Sequence, residues 1–198
     1  MTDRPLLPLA DAAPRERSDA ARNRDAVLAA ALRLVDEHGV AAVTMESVAE
    51  AAGVGKGTVF RRFENRSGLF AAVLDHSEAR WQESVMTGEP PLGPGALALD
   101  RLLAFGDSRI SRTLSHAELF GAASTGHTRS YPVWSFTSLH VQHLLRELDV
   151  TGDIPLLAAA LLAPMEMPIL SQQVRIEKLP LPRIVAAWQD LARRVVGA

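Results

Sequence analysis

Cysteine is absent from the 198-residue sequence, which excludes disulfides, thiolate metal sites and thiol catalysis. Aromatic residues make up only 5%, and β-branched residues are sparse beside leucine and alanine. That balance disfavours sheet and favours helix. No run of about 20 uninterrupted apolar residues is present, so no membrane span is expected. Leu6, Leu7 and Leu9 are interrupted by Pro5 and Pro8 with no long apolar segment behind them. No secretory leader is therefore expected, and a cytoplasmic location is. An excess of positive charge is also lacking: the formal net charge is −2. Nucleic-acid binders ordinarily carry a basic balance, so any contact with DNA must come from a local patch.

What is present is a chain 47% hydrophobic, enough for a sizeable core in one large or two small domains. Residues 1–18, with Pro5, Pro8 and Pro14, lack helical periodicity and read as a mobile arm. From Asp19 to His38, Val27, Ala31, Leu34 and Val35 recur at helical spacing, and Gly39 supplies the stop. Thr44 is placed to cap a second helix that ends at Gly53. Lys56 to Phe63 form a short third helix, and Asn65 caps a fourth bearing Leu69, Phe70, Val73, Leu74 and Trp81. The segment Gly88–Gly95, GEPPLGPG, cannot continue a helix. Helical patterns resume over Ala96–Leu114, His116–Ala123, from Pro132, from Asp153 and Pro155, and from Pro180 and Pro182. Pro164 and Pro168 should bend the penultimate one. The expected fold is all-α with about nine helices, and the fourth helix bridges two domains divided near residue 66.

The segment Thr44–Phe63, TMESVAEAAGVGKGTVFRRF, carries the strongest functional signal. Small Ala49 lets two helices approach, Gly53 sits where a tight turn needs a left-handed backbone, and Val59 packs the third helix back. These offsets describe a helix-turn-helix. The third helix presents Lys56, Thr58, Arg61 and Arg62, with Phe60 and Phe63 among them. Gly55 and Gly57 leave its start without bulk. Such a helix fits the major groove, about 12 Å wide, where basic side chains meet base edges and phosphates. The plainer alternative is a small helical core with exposed charges. Arg15, Arg17, Arg22 and Arg24 either reach DNA as a basic arm or are solvated.

This stretch resembles the DNA-binding motif of the TetR family of transcriptional regulators. The resemblance rests on Thr44, Ala49, Gly53, Val54, Lys56, Gly57, Thr58, Phe60, Arg61, Arg62, Phe63 and Arg66, and covers residues 20–74. It implies that Thr44 and Thr58 touch phosphates, that Lys56 and Gly57 lie at the groove, and that Arg62 and Arg66 meet the backbone. Two positions depart from the pattern. Phe60 replaces a tyrosine and so lacks its hydroxyl, and Gly55 replaces a capping Ser or Thr. The resemblance further implies a homodimer on a palindromic operator in double-stranded DNA, repression, and release by a small-molecule effector. No cofactor and no membrane partner are implied.

For the C-terminal domain the expectations are an effector pocket and a dimer face. Phe105, Phe120, Trp134, Phe136, His140, Met165 and Met167 are candidate pocket walls, suited to a small hydrophobic ligand. Leu157, Leu161, Ile184, Trp188 and Leu191 are candidates for the interface, their alternative being the subunit's own core. His140 and His143 share a helix face, and His116, His127 and Glu118 lie elsewhere in the same domain, so a small helical enzyme is the competing reading. No metal-ligand spacing, nucleophile elbow, phosphate loop or paired-carboxylate site accompanies them, so neither a metal nor catalysis is expected.

Overall fold

The computed structural model describes residues 13–123 and 131–198. Among these the regular structure is entirely helical. In chain order the α-helices are α1 (Ala13–His38), α2 (Met45–Ala51), α3 (Lys56–Phe63), α4 (Arg66–Thr87), α5 (Ala98–Ser115), α6 (Ala117–Ala122), α7 (Tyr131–Glu147), α8 (Ile154–Leu162), α9 (Met167–Ser171) and α10 (Leu181–Val196). The chain forms two compact units, residues 1–73 and 74–198. The division falls within α4, later than the position near residue 66 expected from sequence.

Two boundaries differ from the sequence reading for local reasons. Helix α1 begins at Ala13 rather than near Asp19, with Pro14 in its first turn, where proline's missing N–H costs nothing. Residues 1–12 of the expected arm, and the side chains of Arg15 and Arg17, lie outside the described ones. The single penultimate helix is instead α8, a 3₁₀ turn at Ala163–Met165, α9 and a π-helical turn at Gln172–Ile176. Pro164 and Pro168 remove two backbone donors and crowd the preceding carbonyls, so the α-pattern cannot pass through them. The run Ile154–Ile176 has a mean hydropathy of 1.7 and is long and apolar enough to cross a membrane by length and composition. It is not an uninterrupted apolar run, since Glu166, Ser171, Gln172, Gln173 and Arg175 fall within it. Its Leu161, Leu162, Met165 and Leu170 lie in the core of the C-terminal unit.

The N-terminal unit closes around Val27, Leu28, Ala31, Val48, Val59, Leu69 and Phe70, all buried. The turn from α2 to α3 is built on Gly53, whose φ is +66°. The Gly53 N–H donates to the Glu50 carbonyl and the Val54 N–H to the Ala49 carbonyl. These two bonds make a Schellman C-cap, which needs the left-handed residue that glycine supplies most readily. The α3–α4 turn is tighter. Glu64 has φ 63°, and the Asn65 N–H reaches back to the Phe63 carbonyl at 2.6 Å. The Asn65 side chain then accepts from the Gly68 N–H at 2.9 Å, capping α4 as expected.

Gly68 carries a constraint the sequence reading missed. A Cβ there would stand 2.3 Å from the Phe63 carbonyl oxygen. Backbone cannot yield as a side-chain tip can, so Gly68→Ala should cost about 3 kcal/mol, the upper end for overpacking. Thermal unfolding of the variant should show the loss in the N-terminal unit, and an unchanged transition would disprove the close approach.

The C-terminal unit packs α4, α5, α7, α8 and α10 around Trp81, Phe105, Ile110, Leu144, Leu145, Leu161 and Trp188. Trp188 is 3% exposed and its indole N–H donates to the Leu161 carbonyl at 2.7 Å. Its ring lies against Gly106, where a Cβ would come within 1.8 Å of it.

Candidate nucleic-acid interface

The face expected to meet DNA is assembled from three local devices. At the start of α2, the Thr44 hydroxyl accepts from the Ser47 N–H, and the Ser47 hydroxyl oxygen accepts from the Thr44 N–H, both at 3.0 Å. This reciprocal capping box satisfies two donors that a helix start leaves bare. Ser47, three residues after Thr44, was its unread signal. Thr44 stays exposed, and its own hydroxyl proton remains available to an acceptor in solution.

At the start of α3, Gly55 offers no side-chain cap, as its lack of an oxygen dictates. Its carbonyl accepts from the Thr58 N–H at 2.9 Å. Along α3, Val59 and Phe63 are buried and anchor the helix inward. Lys56, Gly57, Thr58, Phe60, Arg61 and Arg62 are all exposed. The side chains named from sequence therefore share an outward face, while the inward stripe is apolar. Phe60 is 41% exposed, an apolar ring amid cations, of the kind that can meet a thymine methyl or a sugar.

Arg66 does not stand on that footing. Its Nε donates to the Val43 carbonyl at 2.8 Å, an Nη donates to the Val40 carbonyl, and its guanidinium lies 4.8 Å from the Phe70 ring centroid. Two of its N–H groups thus tie the 3₁₀ turn at Val40–Ala42 to the start of α4. Resemblance assigned it to a phosphate, whereas here it has an internal role as well. A shallow cavity of ≈360 Å³ beside α3 is lined by Arg24, Arg62, Phe63, Glu64, Gly68 and Ala72.

In the C-terminal unit the candidate pocket residues divide. Trp81, Phe105, Phe136 and His140 form a continuous aromatic layer. Ring centroids are 5.3 Å apart for Trp81–Phe105, 6.1 Å for Trp81–Phe136, 5.2 Å for Phe105–His140 and 6.1 Å for Phe136–His140. Phe105 and Met165 are buried core, Trp134, Phe136 and Met167 are half-buried, and Phe120 is exposed. Trp81 was missed as a member because its spacing on α4 marks only a core stripe. On its far side a polar cluster closes the layer. Glu78 accepts from Arg109 at 2.9 Å and from Arg112 at 3.3 Å, and the Arg109 guanidinium sits 5.1 Å from the Trp81 ring. Burial pulls Arg112 below its usual range, with Glu78 opposing.

The candidate interface residues need correction. Leu161, Ile184 and Trp188 are buried in the chain's own core, so they cannot also face a partner. The helical periodicity that singled them out does not distinguish the two fates. Leu157 is half-buried and Leu191 is exposed.

His140 is 6% exposed. Burial, the Arg101 charge and His143 together push its pKa down to about 4. An unfolded histidine titrates near 6.5, so below that value the unfolded chain binds a proton the native chain refuses. Stability should therefore fall as pH drops from about 6.5 toward 4, by about 2 kcal/mol between pH 7 and 5 from this group. Urea unfolding at both pH values, compared with His140→Gln, should show that difference shrink in the variant.

Residues 27–73 match the family described as bacterial regulatory proteins, tetR family. The chain is 33% identical over 67 residues to the HTH-type transcriptional regulator AcrR of Shigella flexneri, covering 34% of this chain and 31% of that one. The match thus spans under a third of that relative's length. The whole fold is similar to the fatty acid degradation regulator FadR from Bacillus halodurans, with a TM-score of 0.57 and 16% identity over 88% of this chain and 98% of that one. It is also similar to SmeT, solved in complex with triclosan, with a TM-score of 0.54 and 19% identity over 87% of this chain and 90% of that one.

Proposed function

We propose, for a chain whose residues 27–73 match the tetR family of bacterial regulatory proteins, that it is a dimeric repressor released from a palindromic operator by a small hydrophobic effector. One observation carries this reading: α3 turns Lys56, Thr58, Arg61 and Arg62 outward while Val59 and Phe63 hold it from behind. In this reading α3 enters the major groove, Lys56 and Arg61 reach base edges, and Thr44, Thr58 and Arg62 meet phosphates. The Shigella relative, an HTH-type transcriptional regulator, supports the DNA part of this reading, and the triclosan bound to SmeT supports the effector part.

Pairing uses surface the core leaves bare. Leu156 is 67% exposed and Ile176 68%, and Leu181 and Leu191 each remain 37% exposed. A groove of ≈330 Å³ along α10 is lined by Pro164, Leu179, Ala187 and Leu191 among others. α8, IPLLAAALL, contains no polar side chain, and a helix apolar on every side is normally covered on every side. A two-fold partner supplies that cover and presents two recognition helices to half-sites about one DNA turn apart.

The effector acts by binding better to a state whose recognition helices are wrongly spaced for DNA, which shifts the population off the operator. The test is a band shift with inverted-repeat DNA from the chain's own promoter region. Retardation at low salt is expected, and its absence on every such fragment overturns the reading. Leu156→Asp should convert the dimer to monomer in sedimentation velocity while leaving helix content unchanged. A variant that stays dimeric would place the interface elsewhere.

A further inference from the structure

Among the described residues, three buried polar atoms lack a hydrogen-bond partner: His140 Nε2, Arg101 Nε and Gln173 Oε1. Two of them lie on helices that pack together, Arg101 on α5 and His140 on α7, and the Arg101 charge acts on His140. The Arg101 side chain is 12% exposed, and it faces the Glu147 carboxylate at 3.8 Å, which also lies 3.4 Å from His143. That is beyond hydrogen-bond reach, and Glu147 is 43% exposed, so the buried guanidinium is weakly neutralised. A buried donor left unpaired costs about 1–3 kcal/mol, more when charged.

The surroundings restrict what could pair with these atoms. Phe105 and Phe136 flank the His140 imidazole, the latter nearly parallel to it at 7°, and Trp81 closes the layer behind them. The charged or titratable groups acting on His140 are Arg101 from α5 and His143 from its own helix, with Glu147 one turn further on. α8, packed against α7, brings none. Arg101 Nε–H can only donate, so it requires an acceptor. A carboxylate satisfies it, restores charge balance, and accepts from a protonated His140 as well. A planar ring attached to that carboxylate meets aromatic walls. Phe136 and Trp134, both half-buried, are the side chains such a ring would displace on entry.

We propose that the effector is an aromatic carboxylic acid, its carboxylate held by Arg101 and His140 and its ring taking the side of the layer that Phe136 and Trp134 now cover. This rests on the effector-responsive reading above and narrows its chemistry from hydrophobic to acidic and aromatic. An anion beside His140 favours the imidazolium that burial now suppresses, so binding takes up a proton near neutral pH.

The probe is sodium benzoate, with toluene and benzyl alcohol as uncharged controls, titrated calorimetrically into the full-length protein at up to about 10 mM. Binding at least tenfold tighter than either control is expected, strengthening from pH 8 to 6. Heats should differ between buffers of unlike ionisation enthalpy by an amount that reports proton uptake. His140→Phe, which keeps the stack, and Arg101→Leu should each weaken benzoate at least tenfold, and the proton uptake should vanish in the first. Absence of benzoate binding, equal binding of toluene, or unaffected variants would overturn the proposal. Operator affinity measured without benzoate is read separately. Intact DNA binding without benzoate binding sinks only this inference, whereas failure to bind DNA sinks the reading beneath it.

Discussion

Replacing Lys56, Arg61 and Arg62 together by alanine is expected to lower affinity for the operator about a thousandfold. Each basic side chain at a base edge or phosphate contributes about 1–3 kcal/mol, and about 1.4 kcal/mol is tenfold. The side chains are exposed, so folding should be preserved within about 0.5 kcal/mol. The salt dependence separates their roles. For each lost phosphate contact the slope of log affinity against log salt should shrink by about 0.9. A lost base contact instead relaxes sequence preference and leaves the slope alone. Fluorescence anisotropy on operator and scrambled duplexes, from low to physiological salt, measures both. A triple variant that binds like the parent would mean α3 does not face DNA, despite its exposure.

Trp188→Ala should lower the stability of the C-terminal unit by about 3–5 kcal/mol, the range for removing a large buried aromatic. The ring is the centre of the contact between α10 and α5, and its departure also strips the Leu161 carbonyl of its donor at 2.7 Å. For a chain of this size that corresponds to a melting point roughly 6–20 °C lower. Gly106→Ala tests the same contact from the other side. A methyl group within 1.8 Å of the Trp188 ring must push the indole out or part the helices, at about 1–3 kcal/mol. Because both act on one contact, the double variant should lose less than the two single losses added together. Full additivity would show that Trp188 and Gly106 do not meet. If Trp188 were instead a dimer residue, its loss would depend on protein concentration. Burial within one subunit predicts a loss that does not.

The N-terminal unit was legible because its signals are local. Thr44 caps α2, Gly53 takes the left-handed conformation, Asn65 caps α4, and Val59 and Phe63 form the inward stripe of α3, all as residue type and spacing suggest. Capping and turn chemistry act across three or four residues, so they survive without knowledge of the rest. The local signals that went unread were subtler. Ser47 completes a box usually closed by Glu or Gln, and Gly68 looks like any helical glycine until the Phe63 carbonyl arrives above it.

The C-terminal unit was legible only as helices. Pro164 and Pro168 announced a bend, yet the division into α8, α9 and a π-turn depended on how the freed carbonyls were accommodated. Leu161, Ile184 and Trp188 fit a buried stripe equally well whether the burial comes from their own subunit or from another, because periodicity reports only that a face is hidden.

By itself, then, the sequence determined the helical class, the helix-turn-helix and the outward basic face of α3, since each follows from intrinsic preference and short-range hydrogen bonding. Only the tertiary structure decided that Arg66 ties backbone carbonyls together, that Trp188 belongs to the interior, and that His140 joins an aromatic layer while it and Arg101 each keep a buried polar atom unpaired. Those outcomes turn on residues more than 20 places apart meeting in space, and a one-dimensional pattern holds no record of which buried faces meet.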